Sequence, residues 1–246
     1  MRKIITDIQY TLLQFCRSPQ AVFFTLAFPL LFLVLAWYMP GWGSSAAGTG
    51  LFDFALPCIV GIAVMGSSLD LAVGFIANYR ETGVLRKLAV TPLSRTGWNL
   101  SRAAAGTIVA LSSVAVTLII AWMAFGVHPV VNLLLLPLVV AGSVAFTGIG
   151  MVISRVIKDG DAASAASFTL TLPLILVSGT LFPADRLPGF LQAVAAISPL
   201  TYLNEGLRAA VLTGDTAAAL VNLAIVAGYG IVLFCAGVVT LKWKEG

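Results

Sequence analysis

Asp70, His128, three cysteines and the charged stretch RETGVLRKLAVTPLSR from Arg80 to Arg95 hold most of the side chains whose chemistry invites a role in this 246-residue chain. His128 is the single histidine, with no second ligand at metal-binding spacing, so neither a metal site nor His-based catalysis has support. Cys58 and Cys235 fall inside apolar runs and Cys16 in a short leader, which gives no disulfide framework and reads as packing. No G-x-x-x-x-G-K-S/T loop occurs, and no Gly-Lys pair, so nothing cradles nucleotide phosphates. A membrane-embedded enzyme would gather His, Asp or Glu near one interface, and no such cluster is present. What remains is recognition by the charged stretch and a role for Asp70.

The elements that must position these residues are set by composition. Hydrophobic residues make up 59% of the chain and charged ones 10%, and the mean hydropathy is +1.01. That exceeds what a soluble core can use. Apolar runs of about 20 residues cross the hydrocarbon as helices that satisfy their own backbone. The expected fold is an all-α integral membrane protein, a single domain over 1–246, with six transmembrane helices at Ala21 to Met39, Phe54 to Ala77, Ala103 to Phe125, Val130 to Ile153, Ala163 to Phe182 and Ala219 to Leu241. A cleaved secretory signal is disfavoured, because some twenty residues precede the first run and the run itself is long.

Basic residues near span ends stay on the cytoplasmic side. Six spans place Arg2, Lys3, Arg17, Arg80, Arg86, Lys87, Arg95, Arg102, Arg155, Lys158, Lys242 and Lys244 together, against only Arg186 and Arg208 opposite. Both termini are therefore expected in the cytoplasm of a cell with this chain in its plasma or inner membrane. The net charge of +4 reflects this rule more than affinity for nucleic acid, which is not an expected partner.

In the leader, Ile4 or Ile5, Ile8, Leu12 and Phe15 recur at helical spacing and predict an N-terminal interfacial helix ending before Pro19; a poorly ordered basic tail is the alternative. The loop from Asn78 to Arg102 is the longest cytoplasmic connection. Within it Val84, Leu85 and Leu88 share one face of a short helix while Arg80, Arg86 and Lys87 face elsewhere, and Pro92 ends it after Thr91. Periodicity alone fits equally a juxtamembrane basic segment against anionic lipid heads.

The pattern RETGxLxxLxxTPLSR, carried by Arg80, Glu81, Gly83, Leu85, Leu88 and Thr91 to Arg95, resembles the cytoplasmic loop of type-2 ATP-binding cassette exporter permeases. A second stretch, SGTLFPADRLPGFLQAVAAISPLTYLNEGLR from Ser178 to Arg208, is similar to the signature of that family around the end of the fifth span. The resemblance covers essentially the whole chain. It implies alternating access driven by separate ATPase subunits, with ATP and Mg on the partner and no cofactor on this chain. It also implies a coupling helix using Arg80, Glu81, Leu85, Arg86, Leu88, Thr91 and Pro92, and a second permease chain, identical or not. Export as the direction of transport comes from the resemblance too.

Asp70 is the one acid well inside a span, about 12 Å from the cytoplasmic end of the second helix. An intramembrane acid is costly unless it finds a partner or water. It is either a pathway residue or the acceptor of a structural hydrogen bond from a neighbouring helix, and Ser67 and Ser68 are near it in sequence. After the fifth span, Pro183, Pro188 and Pro199 forbid one straight crossing. Leu187, Phe190, Leu191, Val194 and Ile197 keep helical spacing, and the resemblance implies a re-entrant segment of short helices that dip into the outer leaflet and return; one amphipathic helix flat on the membrane is the alternative. In the family reading this segment, with Phe182, Pro183 and Leu191, closes the exit. Ala162 with Ala166 and Ala163 with Ser167 permit close helix packing, expected mostly within the chain. The substrate expectation is an amphiphilic drug-like molecule or a lipid. A gradient-driven transporter or channel is the competing reading, for which a single intramembrane acid is thin support.

Overall fold

The computed structural model describes residues 2–38, 51–84, 95–126, 132–157, 159–179 and 188–240. Helix α1 is Arg2–Arg17, α2 Pro19–Tyr38, α3 Leu51–Glu81, α4 Arg95–Phe125, α5 Leu135–Val156, α6 Gly160–Val177, α7 Gly189–Ala195, α8 Pro199–Arg208 and α9 Thr216–Thr240, with a π-helical turn at Ala209–Thr213 after α8. No strand occurs among the described residues. Four helices contain stretches long and apolar enough to cross a membrane: Ala55–Arg80, Thr96–Phe125, Leu135–Ser154 and Thr216–Val239. The first and fifth expected spans correspond to shorter apolar stretches, Thr25–Tyr38 and Ala162–Val177.

Element boundaries differ from the sequence expectation in three informative places. Helix α3 continues past Ala77 to Glu81 and α4 begins at Arg95 rather than Ala103, so the connection expected over Asn78 to Arg102 contracts to 82–94. Helix α6 ends at Val177, short of Phe182, where the chain turns at Ser178 and Gly179. Helix α5 begins at Leu135, after a turn in which Leu135 N–H donates to the Asn132 carbonyl.

Local chemistry accounts for several of these ends. Pro19 opens α2 at the first helical position, where its missing N–H costs nothing. Asp159 accepts from the Ala162 N–H at 2.8 Å and caps α6, and Asp215 does the same for the Ala217 and Ala218 N–H groups at the start of α9. Gly83, at φ +69°, terminates α3 in the left-handed region that other residues enter only at a cost.

Helix α3 is the hub. It packs against α2, α4, α5, α6 and α8, and 83% of its apolar stretch is buried inside the fold, against 17% for α9 at the periphery. Leu69, Leu138, Phe146 and Leu203 meet in the central core. Lipid tails are as apolar as leucine, so burying such residues drives little association in a bilayer, and close packing and interhelical hydrogen bonds decide the arrangement. The chain supplies both. Thr107 and Ser143 hydroxyls meet at 2.7 Å between α4 and α5. The Arg80 guanidinium donates to the Ser154 carbonyl at 2.7 Å and the Ile157 carbonyl at 3.3 Å, tying the end of α3 to the end of α5.

The leader is helical. In α1 Ile4, Ile8, Leu12 and Phe15 are half-buried while Ile5 is exposed, so Ile4 belongs to the inward stripe. Leu12 and Phe15 pack on a cluster formed by Phe75, Tyr79 and Trp98.

Candidate functional site

Helices α2, α3 and α6 enclose a cavity of about 380 Å³ between them. Its wall is mostly apolar, with Phe28, Ile62, Val73 and Phe168 among the lining residues, and Asp70 is its charged member. The volume lies in the range of small-molecule sites, roughly 300–1,000 Å³. Asp70 sits on the exposed side of α3, ten residues before Arg80 and so about 15 Å of helix rise from it.

Ser167 of α6 donates to Asp70 Oδ1 at 2.8 Å across the cavity wall. The structural half of the expectation for Asp70, a hydrogen bond from a neighbouring helix, is therefore present, and it leaves the second carboxylate oxygen without a donor among the described residues. Ser67 does not contribute: it is buried and donates to the Ala63 carbonyl of its own helix at 2.6 Å. Of the small-residue pairs read from the sequence, Ala163 and Ser167 are both buried, which puts that pair within the chain, whereas Ala162 of the other pair is exposed. Phe28 and Phe168 approach edge to face, ring centroids 6.5 Å apart, on the same wall. A second cavity of about 240 Å³ joins the first at Thr25 and Asp70 and runs between α1, α2 and α3 past Gln14, Gly74 and Asn78. The lining residues of the two extend from the Asp70 level toward the end of the bundle that carries α1.

At that end the structure holds a constellation that sequence reasoning passed over. Arg102 is fully buried and donates to Asp7 Oδ2 at 2.8 Å, the one ion pair among the described residues. Its guanidinium carbon lies 5.4 Å from the ring centroids of Phe75, Tyr79 and Trp98, and Ser101 also donates to the Asp7 carboxylate. Such a cage offsets part of the cost of taking the charge out of water. The available signal was an acid at position 7 in an otherwise basic leader, with Trp98 one turn before Arg102.

At the opposite end, α8 inserts between α3, α5 and α9 with Leu200, Leu203, Asn204 and Leu207 buried. Asn204 donates to Ser178 at the end of α6. Arg208 donates to Cys58 Sγ at 3.1 Å and to the Gly179 carbonyl at 3.4 Å. The prolines do divide this segment: α7 and α8 are separate short helices, and the Tyr202 hydroxyl donates to the Ala196 carbonyl at 2.8 Å across the bend. Leu191 is half-buried on α7. Phe182 and Pro183 lie outside the described residues, as do Leu85, Arg86, Leu88, Thr91 and Pro92. Glu81 is the last residue of α3, and Arg80 turns to α5.

Residues 2–212 match the family model described as ABC-2 type transporter. The chain belongs to that family. Among curated relatives of this permease, the putative transport permease ycf38 of Cyanophora paradoxa is 26% identical over 221 residues, covering 85% of this chain and 73% of the relative. The probable multidrug ABC transporter permease YbhR of Escherichia coli is 25% identical over 154 residues, covering 62% of this chain and 42% of its own length. Nodulation protein J of Rhizobium leguminosarum is 27% identical over 124 residues, 50% of this chain and 48% of the relative. The permease thus spans less than half the length of the last two. Four of its described helices hold stretches apolar and long enough to cross a membrane, as a permease requires, and no grouping of His, Cys, Asp and Glu suited to a metal occurs among the described residues.

Proposed function

We propose that the chain is the membrane-spanning subunit of an ATP-driven exporter in the cell membrane, paired with a second permease chain, identical or not, and surrounded by membrane lipids. A separate ATP-binding cassette subunit, which carries the ATP and Mg, docks on the cytoplasmic segment with Arg80, Glu81, Leu85, Arg86, Leu88, Thr91 and Pro92. Both termini are cytoplasmic, so α1 lies at the inner face and α7 and α8 form the outer end, where Phe182, Pro183 and Leu191 gate the exit. The cargo is an amphiphilic small molecule or lipid that passes the Asp70 cavity by alternating access; the E. coli relative's name, a probable multidrug permease, points the same way.

The observation that carries the reading is the apolar cavity with a single carboxylate, placed between α2, α3 and α6 of an ABC-2 chain and continued toward the α1 end. Co-purification with an ATPase subunit and ATP-dependent accumulation of a lipophilic dye in inverted vesicles test it. Transport that persists without any ATPase subunit, driven by a proton or sodium gradient, would overturn it in favour of a secondary transporter.

A further inference from the structure

Resting on the reading that the α2–α3–α6 cavity belongs to the transport route, we propose that this cavity selects lipophilic organic cations, with Asp70 as counter-charge and Phe28 and Phe168 as the surfaces that face the cation. Four features of the wall lead to this class.

First, Asp70 has no cationic partner among the described residues. Arg102 is committed to Asp7, Arg80 to the carbonyls of α5, and Arg208 to the far end of the bundle. Second, Ser167 occupies one carboxylate oxygen and holds the group in place, so the other oxygen is presented to the cavity as an acceptor. Third, the two rings belong to different helices, α2 and α6, and meet edge to face on the wall that carries Asp70. Aromatic faces attract a cation through their quadrupole, most strongly where water is scarce, and quaternary ammonium groups are recognised in this way. Fourth, the remaining wall is largely apolar, from Ile62, Ala63 and Val73, so the cation must carry an apolar body of its own.

The same wall discriminates. A neutral amphiphile would leave Asp70 buried against it without a counter-charge, and an anion would meet like charge; specificity of this kind comes from what a wrong ligand leaves unpaired.

The test measures equilibrium binding of tetraphenylphosphonium to the full chain in discs of zwitterionic lipid, with empty discs subtracted. Tetraphenylborate, of the same shape and opposite charge, is the comparison. The wild type is expected to bind the phosphonium saturably and the borate no better than empty discs do. Asp70→Asn keeps the side-chain shape and a hydrogen-bonding oxygen for Ser167, and is expected to lose roughly tenfold or more in phosphonium affinity, as removal of the sole counter-charge in a low-dielectric wall demands. Asp70→Glu should restore most of it. Phe168→Leu keeps the apolar volume and removes the ring, and should weaken binding several-fold. No saturable binding by the wild type, or equal affinity in Asp70→Asn, overturns the proposal.

Gly66 separates this from failure of the route itself. It lines the cavity, and nothing lies within 4 Å of where its side chain would begin, so Gly66→Trp starts into open space and obstructs the cavity. If Gly66→Trp stops transport by the assembled complex while Asp70→Asn handles the phosphonium as the wild type does, the route stands and the cation selectivity falls. If Gly66→Trp transports normally, the cavity is not on the route and both fall together.

Discussion

Asp7 of α1 and Arg102 of α4 meet at 2.8 Å inside a cage of three aromatic rings, and this pair fastens the amphipathic first helix to the two long helices that flank residues 82–94. A buried charge deprived of its partner costs roughly 3–5 kcal/mol. Asp7→Ala and Arg102→Met should therefore each lower the apparent melting temperature of the purified permease by several degrees, and the double variant by clearly less than the two together. Arg102→Lys should fail to restore stability, because an ammonium is compact and strongly hydrated and lacks the planar face that the guanidinium brings to the rings. A lysine variant that melts with the wild type would show that the cage contributes nothing.

The seat of α8 gives a second, purely steric prediction. At Gly61 an added Cβ would overlap the side-chain oxygen of Asn204 and lie 3.5 Å from Leu200, whereas at Gly66, on the same helix, it would meet nothing within 4 Å. Overpacking of this kind costs typically about 1–3 kcal/mol. Gly61→Leu should destabilise the protein in a thermal assay, and Gly66→Ala should not. Equal behaviour of the two would mean that α8 is not held between α3 and α5 as described.

How much of this was legible in the sequence depends on which interaction set each feature. Hydropathy marked the helices, since apolar length is a property of a contiguous run. It misplaced the start of α4, because Arg95 and Arg102 look like loop charges until Asp7, far away in sequence, is brought beside Arg102. Asp70 stood out as an acid inside an apolar helix, but its bond to Ser167 joins residues 97 apart and no local pattern encodes it. The separation of Ala163 and Ser167 hinted at a packed edge of α6 without saying what it would meet. Pro188 and Pro199 foretold the break into α7 and α8, and nothing local foretold that α8 would be buried.

Orientation is expected to follow the twelve basic residues that six spans place on one side, against two on the other. In a background lacking Cys16, Cys58 and Cys235, a cysteine at Ser45 should react with an impermeant thiol reagent on intact cells, and one at Ser94 should be protected until the membrane is opened. Replacing Cys58 by Ser keeps a polar partner for Arg208, which donates to its sulfur, and so limits damage at the α8 end of the bundle. Labelling at Ser94 with protection at Ser45 would invert the arrangement.

The coupling role proposed for residues 80–92 is best tested away from Arg80. Arg80 ties α3 to the last carbonyls of α5, so Arg80→Ala would perturb the bundle whether or not a partner docks there. Leu85 and Leu88 follow the left-handed turn at Gly83 in sequence, and the apolar face expected of them is the proposed contact with the ATPase. Aspartate at either position would have to be desolvated against that partner, at a cost of roughly 2 kcal/mol or more, whereas a loop lying on lipid headgroups can turn the charge into water. Leu85→Asp and Leu88→Asp should accordingly reduce recovery of the ATPase subunit and abolish transport, with the permease still inserted at normal levels. Glu81→Ala should lower transport more than insertion by weakening the charges that fix the register of docking, and Arg95→Ala, at the start of α4 and beyond Pro92, should have the milder effect. Full subunit recovery and wild-type transport in both aspartate variants would assign the basic segment to lipid contact and topology alone.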